Sequence, residues 1–173
     1  MSNEGLVDQK IRQYSENAKI RDINGDAING EIFVEVRGFE LQCFLPAWIT
    51  EGWRDMIYPG GYVEGTRPIK EGISGKEVKI LLSLMDLSTN KTPLQVKWIK
   101  SESQGGNTPY HYFISGTVLD VVEIPRQHKF RALEKMVFID CGVLLNLFVA
   151  NEQEFKIGEY VTSVGRLDAR KTP

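Results

Sequence analysis

Two cysteines and two histidines in 173 residues are a thin supply of reactive side chains, and their placement thins it further. Cys43 and Cys141 lie far apart, each inside an alternating apolar run, so they read as buried free thiols rather than a disulfide. Neither His111 nor His128 has a cysteine or carboxylate at ligand spacing. Cys-x-x-Cys, His-Glu-x-x-His, Gly-x-Ser-x-Gly and phosphate-loop patterns are all missing. Gly72-Ile-Ser-Gly-Lys76 lacks the spacing of a phosphate loop and reads as a tight turn between strands, while Asp140, just before Gly142, reads as a residue that shapes its own turn by accepting backbone N–H groups. The expectation is a protein that is not an enzyme, with no catalytic residues, no metal ligands and no cofactor. Long apolar runs are missing too: none approaches the roughly 20 residues of a membrane span. The opening Met1-Ser-Asn-Glu-Gly-Leu6 has neither the basic nor the apolar region of a secretory signal, so a cytoplasmic protein without a membrane partner is expected. A net charge of −2 argues against a strongly basic, non-specific nucleic-acid binder. The charge is uneven, with 10 basic against 14 acidic residues over 1–90 and 11 against 9 over 91–173, which makes the second half the better place for an anionic ligand.

What the chain does contain is a series of short alternating segments punctuated by glycine. Val7, Ile11, Tyr14 and Ala18 follow helical spacing, so residues 1–19 read as an N-terminal helix or ordered tail. Asn24-Gly25-Asp26 and Asn29-Gly30 are turn signals, and segments 31–36 and 39–45 form a hairpin about Arg37-Gly38 with one face covered. A short helix is expected over 46–57, then strands at 62–67 and 78–84, a polar connection over 86–93, a strand over 94–100 and a flexible loop over 101–109. A long strand then runs from Tyr110 to about Glu123, where Gly116 permits a bulge that lets one strand serve both halves of a barrel. Strands 136–141 and 143–149 pair around Gly142, and 159–169 forms the last strand.

The second half resembles an OB-fold, the oligonucleotide/oligosaccharide-binding barrel. The resemblance rests on Ile114-Ser-Gly116-Thr-Val, on the Asp140-Cys-Gly142 hairpin and on Gly158-Glu-Tyr-Val-Thr-Ser-Val-Gly165-Arg-Leu. It leaves the barrel's fifth strand without a source in that half; 94–100, the first half or another subunit could supply it. The first half echoes the second: Gly38-Phe-Glu-Leu-Gln-Cys-Phe44 lines up with Gly142-Val-Leu-Leu-Asn-Leu-Phe148, and Gly61-Tyr62-Val63 with Gly158-Glu-Tyr160-Val161. The fold class expected is mainly β, built of small OB-like barrels, two in tandem if the echo is a true repeat. The short helices fall at the N-terminus and near 46–57. The corresponding units are a tail over 1–19, a first barrel over 20–100 and a second over 110–173.

For function, the resemblance implies that the loop Arg126-Gln-His-Lys-Phe-Arg131 flanks a ligand groove. Arg126, Lys129, Arg131 and Lys135 would neutralise phosphates and Phe130 would stack on a base. Arg166 would extend that surface, and Trp98 with Lys100 would form an outer flank, whereas Trp48 and Trp53 read as core or interface anchors. Single-stranded DNA or RNA is the ligand expected on this reading. The alternative is a non-enzymatic assembly module that docks a protein partner or a second copy of itself. It is suggested by the two-sided apolarity of 143–149, which places Leu144 and Phe148 on an outer face that something must cover.

Overall fold

The computed structural model describes residues 3–102, 109–125, 135–150 and 152–172. Nine strands form one sheet: β1 (Glu16–Gly25), β2 (Gly30–Val36), β3 (Phe39–Leu45), β4 (Glu77–Lys91), β5 (Trp98–Ser101), β6 (His111–Glu123), β7 (Lys135–Asp140), β8 (Leu144–Val149) and β9 (Tyr160–Lys171). Helix α1 (Asn3–Gln13) precedes them, and the short α2 (Trp53–Ile57) lies between β3 and β4. The sheet order β1-β2-β3-β9-β4-β8-β7-β6-β5, with added pairings β1–β4 and β9–β6, closes on itself twice. One ring runs β1-β2-β3-β9-β4 and back to β1; the other runs β6-β7-β8-β4-β9 and back to β6. The long β4 and β9 belong to both. Each ring has its first three strands in sequence, and its third strand runs parallel to the strand borrowed from the other half (Phe44↔Asp168; Ser83↔Asn146). The chain is therefore mainly β and OB-like, and the missing fifth strand of the second ring comes from the first half, as β4.

The repeat extends to individual bonds. The buried row Ile20–Val34–Leu41 of the first ring corresponds to Val118–Ile139–Leu145 of the second. Gly75 N–H donates to Ile20 O (2.7 Å) where Gly158 N–H donates to Val118 O (2.9 Å). A bulge after Ile20 is matched by one after Val118, and in each the carboxylate of the bulge aspartate, Asp22 or Asp120, accepts the next N–H at 2.9 Å. The counterpart of Gly158 is thus Gly75, not Gly61 as the sequence alignment had it. Residues 62–67 form no strand: Gly60, Gly61 and Gly65 have positive φ and Val63 is 67% exposed, and only Tyr62 packs against the core.

Other expectations shift for physical reasons. β1 escapes the sequence pattern because its bulge breaks the alternation between Ala18, Ile20 and Ile23. β4 runs on through 86–91, where a polar connection was expected, since pairing with β9 satisfies its backbone and Thr89 Oγ1 bonds Ser163 Oγ inside (2.7 Å). β5 is only Trp98–Ser101. Gly116 carries no bulge; a side chain there would bring Cβ to 2.5 Å from Asp140 O, so its role is close backbone approach.

A single apolar cluster fills both rings, from Ile20 and Ile32 through Leu84 and Leu167 to Val118 and Leu145. A second lies outside the second ring, where Val7 and Ile11 of α1 cover Leu81, Val122, Met136, Phe138 and Phe148. Tyr14 stacks on Phe138 (4.5 Å between centroids) and its hydroxyl donates to Asp120 (3.1 Å), which also binds Lys10 Nζ at 2.6 Å. The outer face at Phe148, expected to meet a partner, is covered by the chain's own helix. Asn146, buried among these groups, accepts from Ser83 Oγ (2.6 Å).

Asp140 does shape its turn: Gly142 N–H donates to it (2.9 Å) and Lys97 Nζ pairs with it (2.8 Å). Partial burial pulls its carboxyl upward, but the Lys97 and Gly142 bonds outweigh this and leave it below its ordinary 3.8. A carboxyl depressed in the folded state stabilises above its unfolded value and loses that contribution as pH falls through the folded one. Asp140→Asn should therefore cost about 1 kcal/mol at pH 7. In urea melts across pH, the gap to the parent protein should stay level above about pH 5 and close below its unfolded pKa; a pH-independent gap would contradict this.

Candidate functional site

The turn between β1 and β2 is held more firmly than its four residues need. Asp26 Oδ1 accepts the N–H groups of Ile28 (2.8 Å) and Asn29 (2.9 Å), and Asp26 N–H donates to Asn29 O at 2.9 Å. Beneath it, segment 46–58 reaches up with three side chains to three consecutive carbonyls. Tyr58 OH donates to Gly25 O (3.0 Å), Trp48 Nε1 to Asp26 O (3.0 Å) and Arg54 Nη1 to Ala27 O (3.1 Å). Trp48 is buried with its ring against Gly25 and Gly30, where an added Cβ would come within 2.4 and 2.1 Å of it. Those two positions must be glycine for the indole to fit. Trp48 and Trp53 are core anchors, as expected.

Above this floor opens a cleft of about 300 Å³, lined by Asn24, Gly25, Asp26, Asn29, Gly30, Glu31, Phe44 and Tyr110. β2 supplies Glu31, β3 supplies Phe44, and Tyr110 arrives from the start of the second half. Glu31 Oε2 accepts from Tyr110 OH (2.7 Å) and Gln42 Nε2 (2.9 Å), and Oε1 faces Asn24 Nδ2 at 3.5 Å. Burial and the bond to Glu31 push the Tyr110 hydroxyl well above its ordinary pKa, so it stays protonated and donating. The Phe44 ring is tilted against Tyr110 (5.7 Å) and backed by the Arg166 guanidinium at 4.3 Å. Arg166 in turn makes a forked pair with Asp168 (2.7 and 2.9 Å). Burial lifts the Asp168 carboxyl above its usual value against the pull of Arg166. Among the described residues the lining carries two carboxylates and no cation. A second depression of about 300 Å³ follows on the outer face of β2 and β3, bounded by Arg21, Phe33, Glu40, Gln42 and Tyr112.

In the repeat, Glu31, Phe33, Gln42 and Phe44 correspond to Met136, Phe138, Asn146 and Phe148. The same outer face is thus open and polar on the first ring but apolar and roofed by α1 on the second. The thiols take no part: burial pushes Cys43 far above its ordinary range and Cys141 up to about 12.

Those of the residues singled out from sequence that the structure describes are spread over β5, β7, β8 and β9. Arg126, Lys129, Phe130 and Arg131 lie outside the described residues. Lys135 opens β7 and reaches Gln153 O at 3.4 Å. Arg166 is committed to Asp168 and Phe44. Trp98 and Lys100 sit on β5, the ammonium 5.2 Å from the indole. Leu144 is half-buried, its N–H bonded to Glu16 (3.1 Å), and Phe148 lies under α1. The residues that do form a cleft were read as turn and strand residues only. The signal that could have found them is the pair of Asn-Gly steps five residues apart, followed directly by an acidic strand.

No protein-family model matches the sequence, and no curated protein matches it. Among solved structures, a crystal form of the cytoplasmic molybdate-binding protein ModG, grown with molybdate bound, aligns over 92% of this chain and 95% of its own. The identity is 15% and the TM-score 0.44. The nucleic-acid reading does not stand: the open cleft described here is lined by carboxylates, which repel a phosphate backbone. Of the two residues of the assembly reading, Phe148 lies beneath α1 and Leu144 stays outside that cluster. What strand order and closure do show is an OB-like barrel architecture, doubled, with two strands held in common.

Proposed function

We propose that this protein binds a small polyhydroxylated solute, a sugar unit or sugar-like polyol, in the cleft between the β1–β2 turn and Tyr110. The observation that carries the reading is the triple support of the turn by Tyr58, Trp48 and Arg54. Fixing three successive carbonyls before any ligand arrives lowers the ordering cost of binding, which is what a preorganised site requires. The lining suits a ligand rich in hydroxyl donors: the Asp26 and Glu31 carboxyl oxygens accept, and Asn24 and Asn29 can both donate and accept. Phe44 and Tyr110 offer apolar ring surface to the C–H face of a sugar. The site lies where the first loop meets strands two and three of the barrel, the usual ligand face of this architecture. We read it as binding without turnover, because the turn already uses Asp26 and two donors already anchor Glu31.

Isothermal titration against neutral mono- and disaccharides, sodium molybdate and an oligo-dT strand tests this directly. At least one neutral sugar should bind with roughly millimolar affinity or better, and Glu31→Ala should weaken it at least about tenfold by removing a charged acceptor. Silence from every sugar, or tighter binding of molybdate or oligo-dT, would overturn the proposal.

A further inference from the structure

Lys70 lies on the 59–75 segment, outside the cleft lining, yet its ammonium reaches the cleft's rear wall. It donates to Asp22 Oδ1 at 3.0 Å and to Asn24 Oδ1. Asn24 Nδ2 is then turned toward Asp22 Oδ2 (3.2 Å) and Glu31 Oε1 (3.5 Å). Three carboxylates, Asp22, Asp26 and Glu31, stand at or directly behind the cleft, and Lys70 is the one cation that the described contacts set against them. The pair is exposed, Lys70 by 36% and Asp22 by 47%, so it adds little to stability. On the second ring the corresponding Asp120 is held by Lys10, from α1, which also roofs that face.

We infer that Lys70 is a specificity-determining residue. By neutralising Asp22 and holding the Asn24 amide against Glu31, it keeps the cleft selective for a neutral ligand over a cationic one. This rests on the proposed sugar reading. Partial burial raises the Asp22 carboxyl, but the Lys70, Ile23 and Asn24 bonds bring it below its ordinary value, so it is ionised at neutral pH. Without Lys70 that charge would be unbalanced. It would draw the Asn24 amide away from Glu31 and raise the negative potential along the whole wall.

The test uses the full-length protein with glucose and glucosamine as probes at pH 6, where the amine is protonated. Lys70→Met should weaken glucose about fivefold, the worth of one hydrogen bond, and strengthen glucosamine, so that the ratio of the two dissociation constants shifts by about tenfold. The shift should shrink in high salt. Lys70→Arg should keep the parent ratio, and so should Lys10→Met, which removes the same kind of pair from the second ring. A Lys70→Met protein in which both sugars weaken equally, or neither changes, overturns the inference and leaves the sugar reading intact. If neither sugar binds the parent protein, the inference falls, and the sugar reading falls with it only where every other neutral sugar is silent too.

Discussion

Leu167→Ala is expected to destabilise the whole molecule by about 3–5 kcal/mol, in a single transition that brings down both halves. Leu167 of β9 pairs with Leu84 of β4, both are fully buried, and both strands belong to both rings. The apolar cluster around them is continuous from Ile20 to Leu145. Removing three carbons from its middle should therefore be felt on both sides. Urea unfolding followed by tryptophan fluorescence and far-ultraviolet circular dichroism makes the check, using Trp98→Phe so that fluorescence reports Trp48 and Trp53 of the first half. Coincident curves displaced to lower urea are expected. Two separated transitions, or a loss under about 1 kcal/mol, would mean that the rings are independent and the shared strands incidental.

Gly30→Ala should be nearly as damaging, and damaging in a particular place. Its Cβ would lie 2.1 Å from the Trp48 ring, nearer than atoms can approach, and the indole is buried with no room behind it. Trp48 would have to leave, taking with it the bond to Asp26 O and the floor of the turn. A cost of about 3 kcal/mol or more is expected, at the upper end for overpacking. Sugar affinity should fall together with stability. Trp48→Leu makes room for the methyl group, so the double variant should be more stable than the two separate losses would sum to. Strict additivity in thermal melts would show that the contact is not what glycine is needed for.

The sequence discloses the strands that alternate cleanly and hides those whose pattern another strand completes. β2, β3, β7 and β8 stand out because Ile32, Val34, Leu41, Cys43, Val137, Ile139, Leu145 and Leu147 mark one face at a period of two. β1 hides behind its bulge at Asp22, and the far end of β4 hides because Ser88, Thr89 and Asn90 owe their strand conformation to β9 rather than to their own side chains. The helical stripe is legible at Val7 and Ile11, while Tyr14 follows the helix and Ala18 belongs to β1; the need to cover Phe148 is legible too, and that the helix meets it is a tertiary fact. The cleft is hardest of all. Asn24, Glu31 and Phe44 look like ordinary turn and strand residues until Tyr110, on the far side of β4 and β5, is brought over them by β6 and β9. The basic loop at 126–131 drew attention because charge is visible in a sequence, and a wall assembled from three distant strands is not.

The central claim is that the ligand seat is the supported β1–β2 turn. Backbone amide chemical shifts recorded while the best-binding sugar is titrated into the labelled protein test it most directly. The account predicts saturable shifts concentrated at Gly25, Asn29, Gly30, Glu31 and Tyr110, with the amides of β7 and β8 beneath α1 unmoved. Shifts centred on Trp98 and Phe113, or spread without a focus, would contradict it.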